Sequence, residues 1–240
     1  MKDRIKLTVV YDNNSMSDGL QTDWGFACLI EAGETKLLFD TGDNGKILLD
    51  NMKKLSINPQ SIDLLFLSHH DHDHTGGMGK FLLVNPDVKV FYPQSFPRVL
   101  TDTINNSGAV SIPVSGFMEI LPDIYSLGEI TGAIPEQSLA VRSSEGIVIV
   151  TGCAHPGIVN IIEKAKNKFP GELIYLIIGG FHLHRSNEEE INEVIQKIVD
   201  MDVLSVAPTH CSGNLARNIF LEIFGSDYID VGTGKIIEIN

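Results

Sequence analysis

Residues 65 to 80, LFLSHHDHDHTGGMGK, concentrate histidine and aspartate in one short segment. The six polar residues are His69, His70, Asp71, His72, Asp73 and His74, between an apolar run and two glycines. A buried core has no use for such a cluster, because unpaired polar groups are costly to bury. Imidazole nitrogens and carboxylate oxygens are donors that zinc and related divalent ions bind. The cluster therefore predicts a metal site rather than a solvated loop.

Alternation along an extended segment divides the cluster into two sets of side chains. His69, Asp71 and Asp73 fall on one side, and His70, His72 and His74 on the other. A turn at the end of the preceding strand would let Asp73 and His74 reach a second ion about 3.5–4 Å from the first. The glycines at positions 76 and 77 would allow the backbone to approach closely where a helix begins.

Elements of two kinds must position this cluster. Strands are predicted at IKLTVVY, GFACLIE, TKLLFD, DLLFLS, VKVFY, SLAVRS, GIVIVTG, ELIYLIIGG and VLSVAPT. Amphipathic spacing predicts helices at GKILLDNMKKLSI, GIVNIIEKAKNKF and NEEEINEVIQKIVDM. Interleaved strands and helices indicate an α/β fold with sheets covered by helices.

Two parts of the chain match each other without a gap when the sequence is shifted by 110 residues. Thr41-Gly42 aligns with Thr151-Gly152, and His72 and His74 align with His182 and His184. Identity is low, so a duplication and a chance match both stay open. A duplication predicts two similar β-α-β halves whose strand ends meet at one edge, where the histidine cluster would join Cys153, His155, His182 and His184.

Residues 85 to 130 fit neither copy and are rich in Pro, Gly and Ser. This composition indicates an insertion over the site, within a single domain of residues 1–240.

Charge and composition narrow the class of protein. The chain has 240 residues and a net charge of -13, which argues against a nonspecific grip on nucleic acid. No signal peptide or membrane span is recognisable, and the three cysteines are far apart, which suits a reducing cytoplasm. We therefore expect a cytoplasmic protein with no nucleic-acid partner and no membrane partner. Whether the protein forms a homo-oligomer is left open by the sequence.

Several motifs resemble those of a known family. SHHDHDHTGG resembles the Ser-His-x-His-x-Asp-His-x-Gly-Gly motif of the metallo-β-lactamase superfamily, and LLFDTG resembles the strand and Asp before it. VTGCAHPGIVN, IGGFHL and PTHCSG are similar to the branch of dihydropterin ribofuranosyl-aminobenzene phosphate synthases. The resemblance implies a four-layer αββα sandwich of two similar halves. It also implies that Asp40 accepts hydrogen bonds and holds the metal loop.

The chain departs from the motif at its second ligand. Aligned on the glycines, the motif places His69 first but puts Asp71 where a second histidine is usual. An alternative alignment, shifted so that His70 and His72 are ligands, keeps histidines at the ligand positions. It no longer aligns the two glycines with those of the motif, so the alignment with Asp71 is preferred. A carboxylate there shifts metal preference toward Mn or Fe, although Zn stays the first expectation.

The resemblance implies that the second half supplies the other ligands. A histidine usual in the family is missing where the chain has Glu136, and His155 is expected to replace it. Cys153 takes the position of the bridging carboxylate, and is either a thiolate ligand or a small buried hydrophobe. His210 matches the last ligand. His182 is expected to act as a catalytic, substrate-facing group rather than a ligand.

Together these observations predict a hydrolase with one or two divalent metal ions. His69, Asp71 and His155 would hold one ion, and Asp73, His74 and His210 the other. Metal-bound hydroxide would attack an ester, phosphoester or related small-molecule substrate, and Asp73 would orient the water and move a proton.

Two further readings accompany this prediction. The branch resemblance suggests a pterin-linked or phosphorylated substrate, with Arg98, Arg142 and Arg185 as candidate phosphate donors. A metal-binding or ligand-sensing module with little catalytic activity is the alternative, motivated by Asp71 and the missing histidine.

Overall fold

The computed structural model describes residues 4–240, which form two compact units. The N-terminal unit consists of the residues up to Ser115 together with Gly232–Asn240. The C-terminal unit is Gly116–Val231. Within the described residues, no helix combines the length and apolar character needed to cross a bilayer. The expectation that the whole chain acts as one domain stays a prediction.

The N-terminal unit contains a mixed seven-stranded sheet in the order β13-β1-β2-β3-β4-β5-β6. Its strands are β1 (Ile5–Tyr11), β2 (Ala27–Ala32), β3 (Thr35–Phe39), β4 (Leu64–Phe66), β5 (Lys89–Pro93), β6 (Val110–Val114) and β13 (Ile236–Ile239). The pairs from β3 to β6 are parallel, and those from β13 to β3 are antiparallel.

Helices of the same unit pack their apolar faces against this sheet. They are α1 (Gly45–Lys54), α2 (His72–Thr75), α3 (Met78–Val84) and α4 (Arg98–Ser107). Asn44 caps α1 by accepting a hydrogen bond from the amide of Lys46. Leu48 and Met52 of α1 and Phe81 of α3 are buried with Leu38 and Leu65 of the sheet in one core.

The C-terminal unit contains a six-stranded sheet in the order β12-β11-β10-β9-β8-β7. Its strands are β7 (Met118–Leu121), β8 (Ile124–Ser126), β9 (Leu139–Arg142), β10 (Ile147–Thr151), β11 (Ile174–Gly180) and β12 (Ser205–Thr209). Its helices are α5 (Ile158–Lys168), α6 (Glu188–Asp200) and α7 (Asn214–Phe224). The strands β10, β11 and β12 are parallel neighbours.

The core of this unit follows the predicted helical spacing. Ile161 and Ile162 of α5 and Ile195 of α6 are buried with Ile149 and Ile177 of the sheet. A capping box begins α6, because the Asn187 side chain binds the amide of Glu190 and the Glu190 side chain binds the amide of Asn187.

Both units contain the repeated β-α-β arrangement expected from the 110-residue offset. In the N-terminal unit β3, α1 and β4 form it, and in the C-terminal unit β10, α5 and β11 do. The two strands of each copy are parallel neighbours. The prediction of two similar β-α-β halves is confirmed.

Residues 85–130 are not an insertion outside the sheets. They contain β5, β6, β7 and β8, and they therefore supply strands to both sheets. Pro113 is tolerated in β6 because β6 is an edge strand of its sheet. The C-terminal residues, which the sequence left without a role, form β13 at the other edge of the N-terminal sheet.

Gly77 lets two loops of the N-terminal unit approach closely. It directly precedes α3, and its amide donates to the carbonyl oxygen of Gly42 at 3.0 Å. A Cβ atom at Gly77 would overlap the carbonyl oxygen of Thr41. The prediction that this glycine serves close backbone approach is confirmed.

We expect Gly77→Ala to lower the free energy of unfolding by about 1–3 kcal/mol, because the added methyl group meets rigid backbone. Gly79→Ala is the matched control, since Gly79 lies within α3 with nothing near its Cβ position. Alanine should stabilise that helix by roughly 0.5–1 kcal/mol. Urea unfolding of both variants measures the difference, and equal effects would contradict the close-approach argument.

Candidate functional site

A buried carboxylate, Asp40, organises the histidine cluster of the N-terminal unit. Asp40 has no exposed surface and directly follows β3. Its Oδ1 accepts from the Ser68 amide, and its Oδ2 accepts from the Ser68 hydroxyl, each at 2.7 Å. The same Oδ2 lies 2.7 Å from Nδ1 of His74. Asp40 therefore holds the end of β4 and the ring of His74 together, as the resemblance implied.

These contacts direct the Nε2 atoms of two histidines. Nδ1 of His74 is engaged by Asp40, and Nδ1 of His69 lies 2.8 Å from the Ser68 hydroxyl. A carboxylate on one ring nitrogen makes the other nitrogen the metal donor in many metalloproteins. Both rings are fully buried, and their centroids are 4.2 Å apart.

Each Nε2 atom faces a carboxylate at a distance suited to a shared ion. Nε2 of His69 is 3.6 Å from Oδ2 of Asp71, and Nε2 of His74 is 3.8 Å from Oδ2 of Asp73. Two donors bound tetrahedrally at about 2.0–2.2 Å from one ion are roughly 3.4 Å apart. The N-terminal residues therefore fit a divalent ion in donor type and in spacing.

Local backbone structure decides which members of the cluster come together. The alternation expected of an extended segment ends at Asp71, because α2 begins at His72. The helical turn places Asp73 and His74 beside the strand end, and leaves the side chain of His72 77% exposed. His70 is partly exposed as well. The structure thus favours the alignment with Asp71 over the shifted alignment.

A second buried carboxylate, Glu136, holds the corresponding loop of the C-terminal unit. Its Oε1 accepts from the Thr151 hydroxyl and from three consecutive amides, those of residues 152 to 154, at 3.0–3.1 Å. Its Oε2 accepts from the His155 amide at 2.9 Å. Sequence reasoning noted Glu136 only as a missing histidine. No spacing signal links it to the loop it supports.

The remaining predicted residues lie around this loop. The rings of His155 and His182 are 4.4 Å apart, and His182 is exposed at the surface of the unit. Cys153 and His210 are buried, and His210 has a left-handed backbone with φ of 48°. Cys211, which the sequence left without a role, approaches the carbonyl oxygen of Cys153 at 3.6 Å.

The environments of two thiols differ sharply. Burial raises the pKa of the Cys28 thiol to about 12. Burial also acts to raise the pKa of Cys211, but hydrogen bonds with Cys153 and His182 outweigh it and lower the value to about 7. Cys28 is therefore a core residue, as expected, whereas the surroundings of Cys211 favour a thiolate.

Comparison with known proteins shows which family this chain belongs to. Residues 25–210 match the model of the metallo-beta-lactamase superfamily, which is most of the chain. The chain belongs to this superfamily.

A relative in Methanocaldococcus jannaschii is named 7,8-dihydropterin-6-methyl-4-(beta-D-ribofuranosyl)-aminobenzene-5'-phosphate synthase. It is 30% identical to this chain over 98% of the chain and 97% of the relative.

Solved structures show the same fold. A metal-dependent hydrolase of the β-lactamase superfamily superposes with a TM-score of 0.82 and 25% identity, covering 98% of this chain and 99% of that one. Human tRNase Z, short form, reaches a TM-score of 0.67 at 12% identity, over 98% and 99% of the two chains, and shows the fold alone. The fold class predicted from the sequence, α/β of the metallo-β-lactamase type, is confirmed.

We expect Asp40→Asn to weaken metal binding roughly 10–100-fold, because an amide supports the imidazole of His74 less well than a carboxylate does. Asp63→Asn is the control, since Asp63 is an exposed carboxylate of the same unit that accepts from the Lys36 amide. Calorimetric titration of the metal-free protein with Zn²⁺ measures both affinities. An unchanged affinity in the Asp40→Asn variant would contradict the supporting role.

We expect Glu136→Gln to destabilise the protein by about 1–3 kcal/mol, because an amide group cannot accept all the hydrogen bonds that the carboxylate accepts. Glu145→Gln changes an exposed carboxylate in a turn of the same unit and should leave stability within about 0.5 kcal/mol. Thermal unfolding followed by circular dichroism distinguishes the two. Equal midpoints would show that the Glu136 network contributes little.

Proposed function

We propose that this protein is a metal-dependent hydrolase acting on an ester, phosphoester or related small-molecule substrate. The observation that carries the proposal is the pair of imidazole–carboxylate contacts, His69 with Asp71 and His74 with Asp73, at 3.6 and 3.8 Å. Membership of the metallo-β-lactamase superfamily supports the same class of activity. One or two divalent ions, Zn first and Mn or Fe as alternatives, are proposed as cofactors, with His155 and His210 as further ligands.

The residues of the chain have separate tasks in this proposal. A bound divalent ion supplies Lewis-acid activation of water and of the substrate's electrophilic centre. His69 and His74 bind through Nε2, because their Nδ1 atoms are engaged by Ser68 and Asp40. Asp73 retains a partly exposed carboxylate beside His74, with 18% of its side chain accessible. It can therefore accept a proton from the attacking water and deliver it to the leaving group.

The substrate class is narrowed by the named relative. That protein's name joins a dihydropterin to a phosphorylated aminobenzene riboside, so we propose a pterin-linked or phosphorylated small molecule for this chain. The relative is called a synthase, so the hydrolytic part of this proposal rests on the superfamily and on the site rather than on that name.

The arginines differ in their readiness to bind a phosphate. Arg142 is engaged by both oxygens of Glu172, at 3.0 and 2.8 Å. Arg98 is paired with Asp102, one turn along α4, and its side chain is 92% exposed. Arg142 therefore has a structural role, which leaves Arg98 and Arg185 as the proposed phosphate donors.

The test is metal content and turnover of the full chain, stripped of metal and reloaded with Zn²⁺, Mn²⁺ or Fe²⁺. Phosphomonoester, phosphodiester, lactone and pterin phosphate substrates should be screened. Asp73→Asn should lower turnover on the order of 10²–10⁴-fold, since it removes the proton acceptor. His74→Ala should lower both metal content and turnover.

His72→Ala is the matched control, because His72 belongs to the same cluster but its side chain is largely exposed. We expect it to keep metal and activity. Metal binding without turnover of any substrate would favour the sensing module instead. Equal losses in the His72→Ala and His74→Ala variants would contradict the proposed division of the cluster.

A further inference from the structure

Three soft or borderline donors lie at one edge of the C-terminal sheet. The strands β10, β11 and β12 are parallel neighbours that end at Thr151, Gly180 and Thr209. Two residues past each of these ends the chain carries Cys153, His182 and Cys211, respectively. Because carboxyl ends of parallel neighbours meet at the same edge, the topology itself brings these side chains together.

Distances among the donors suit one ion. The two sulfur atoms and an imidazole nitrogen of His182 all lie within 4.8 Å of one another. Around a zinc ion, with sulfur at about 2.3 Å and nitrogen at about 2.0 Å, tetrahedral donors are roughly 3.5–3.8 Å apart. The limit of 4.8 Å is wider than this spacing, so binding requires the donors to move closer together.

The backbone around the three donors is tied in place. The Gly180 amide donates to the Gly152 carbonyl at 3.0 Å, and the Phe181 amide donates to the Ser212 hydroxyl at 3.0 Å. The His184 amide donates to the carbonyl of Cys211 at 3.2 Å. These bonds join the three strand ends to each other directly.

Two further features point to a built site. His182 has a left-handed backbone with φ of 53°, a conformation that costs energy and is retained where surrounding structure demands it. At Gly180, a Cβ atom would come within 2.5 Å of the Cys211 sulfur. The absent side chain at Gly180 thus provides the space in which the sulfur lies.

We propose that Cys153, His182 and Cys211 form a binding site for a thiophilic divalent ion of the zinc class. Both cysteines are buried and His182 is exposed, so the ion would be held by two thiolates inside and one imidazole at the surface. Binding replaces the two thiol protons, which pass to the buffer. The site goes beyond the proposed function, because His182 and Cys211 are not among its ligands. It assigns the sulfur of Cys153 to a ligand role and gives His182 a ligand role in place of a substrate-facing one.

Cobalt(II) substitution of the full chain tests this site without relying on activity. Metal-free, fully reduced protein loaded with Co²⁺ should show the intense near-ultraviolet absorption of thiolate-to-cobalt charge transfer. Cys211→Ser should reduce this absorption to about half, since one of two thiolate ligands remains. Cys28→Ala is the control, because Cys28 is a buried thiol of the N-terminal unit, and its variant should retain the full absorption.

An exposed position provides a second variant that does not disturb the core. His182→Gln should weaken Co²⁺ binding at the thiolate site by roughly 10–100-fold while both cysteines remain. Absence of the charge-transfer absorption in the unaltered protein, or an unchanged affinity in the His182→Gln variant, would overturn the proposal.

These experiments distinguish failure of the proposed hydrolase function from failure of the thiolate site. His74→Ala should leave intact the part of the charge-transfer absorption that Cys211→Ser and His182→Gln remove, because neither Cys211 nor His182 belongs to the imidazole–carboxylate set. Retained absorption in a protein that hydrolyses nothing would refute the proposed function alone. Hydrolysis without any thiolate absorption would refute the thiolate site alone.

Discussion

A carboxylate with no exposed surface stands at the centre of the N-terminal unit. Removing such a charge from water costs several kcal/mol, and Asp40 offsets this cost through the bonds with Ser68 and His74. The amide and hydroxyl of Thr41 in turn bind the carbonyl oxygen of His74, at 2.9 and 2.8 Å. The strand end and the short helix α2 are therefore fixed together, and the rings of His69 and His74 take their positions from this arrangement.

The C-terminal unit meets a similar requirement in another way. Its carboxylate, Glu136, precedes β9 rather than following the strand that aligns with β3, and it binds the amides of residues 152 to 155. Such a carboxylate fixes the backbone of the loop that carries Cys153 and His155. The two halves share strand order and crossover, yet one presents imidazole and carboxylate donors and the other presents thiols and imidazoles.

Much of the fold and part of the site could be predicted, because the central strands, the larger helices and the His69–His74 cluster carry strong local patterns. Every strand and helix predicted from the sequence is present, with ends shifted by a few residues. The missed strands β6, β7 and β13 lie at sheet edges, where the hydrophobic pattern weakens, and the missed β8 has only 3 residues. The roles of Glu136 and Cys211 could not be predicted, because their contacts depend on how distant strands pair, as β10 and β12 do with β11.

The pairing of β13 with β1 has a consequence for the order in which the chain assembles. β1 is made long before β13, so one side of β1 gains its partner only when Ile236–Ile239 have been synthesised. The C-terminal unit is one continuous stretch, so it can complete its sheet before that moment. Until then one side of the seven-residue strand β1 lacks its partner, which exposes β1 to pairing with other chains. Once paired, β13 takes the edge position of the N-terminal sheet, and β1 becomes an interior strand.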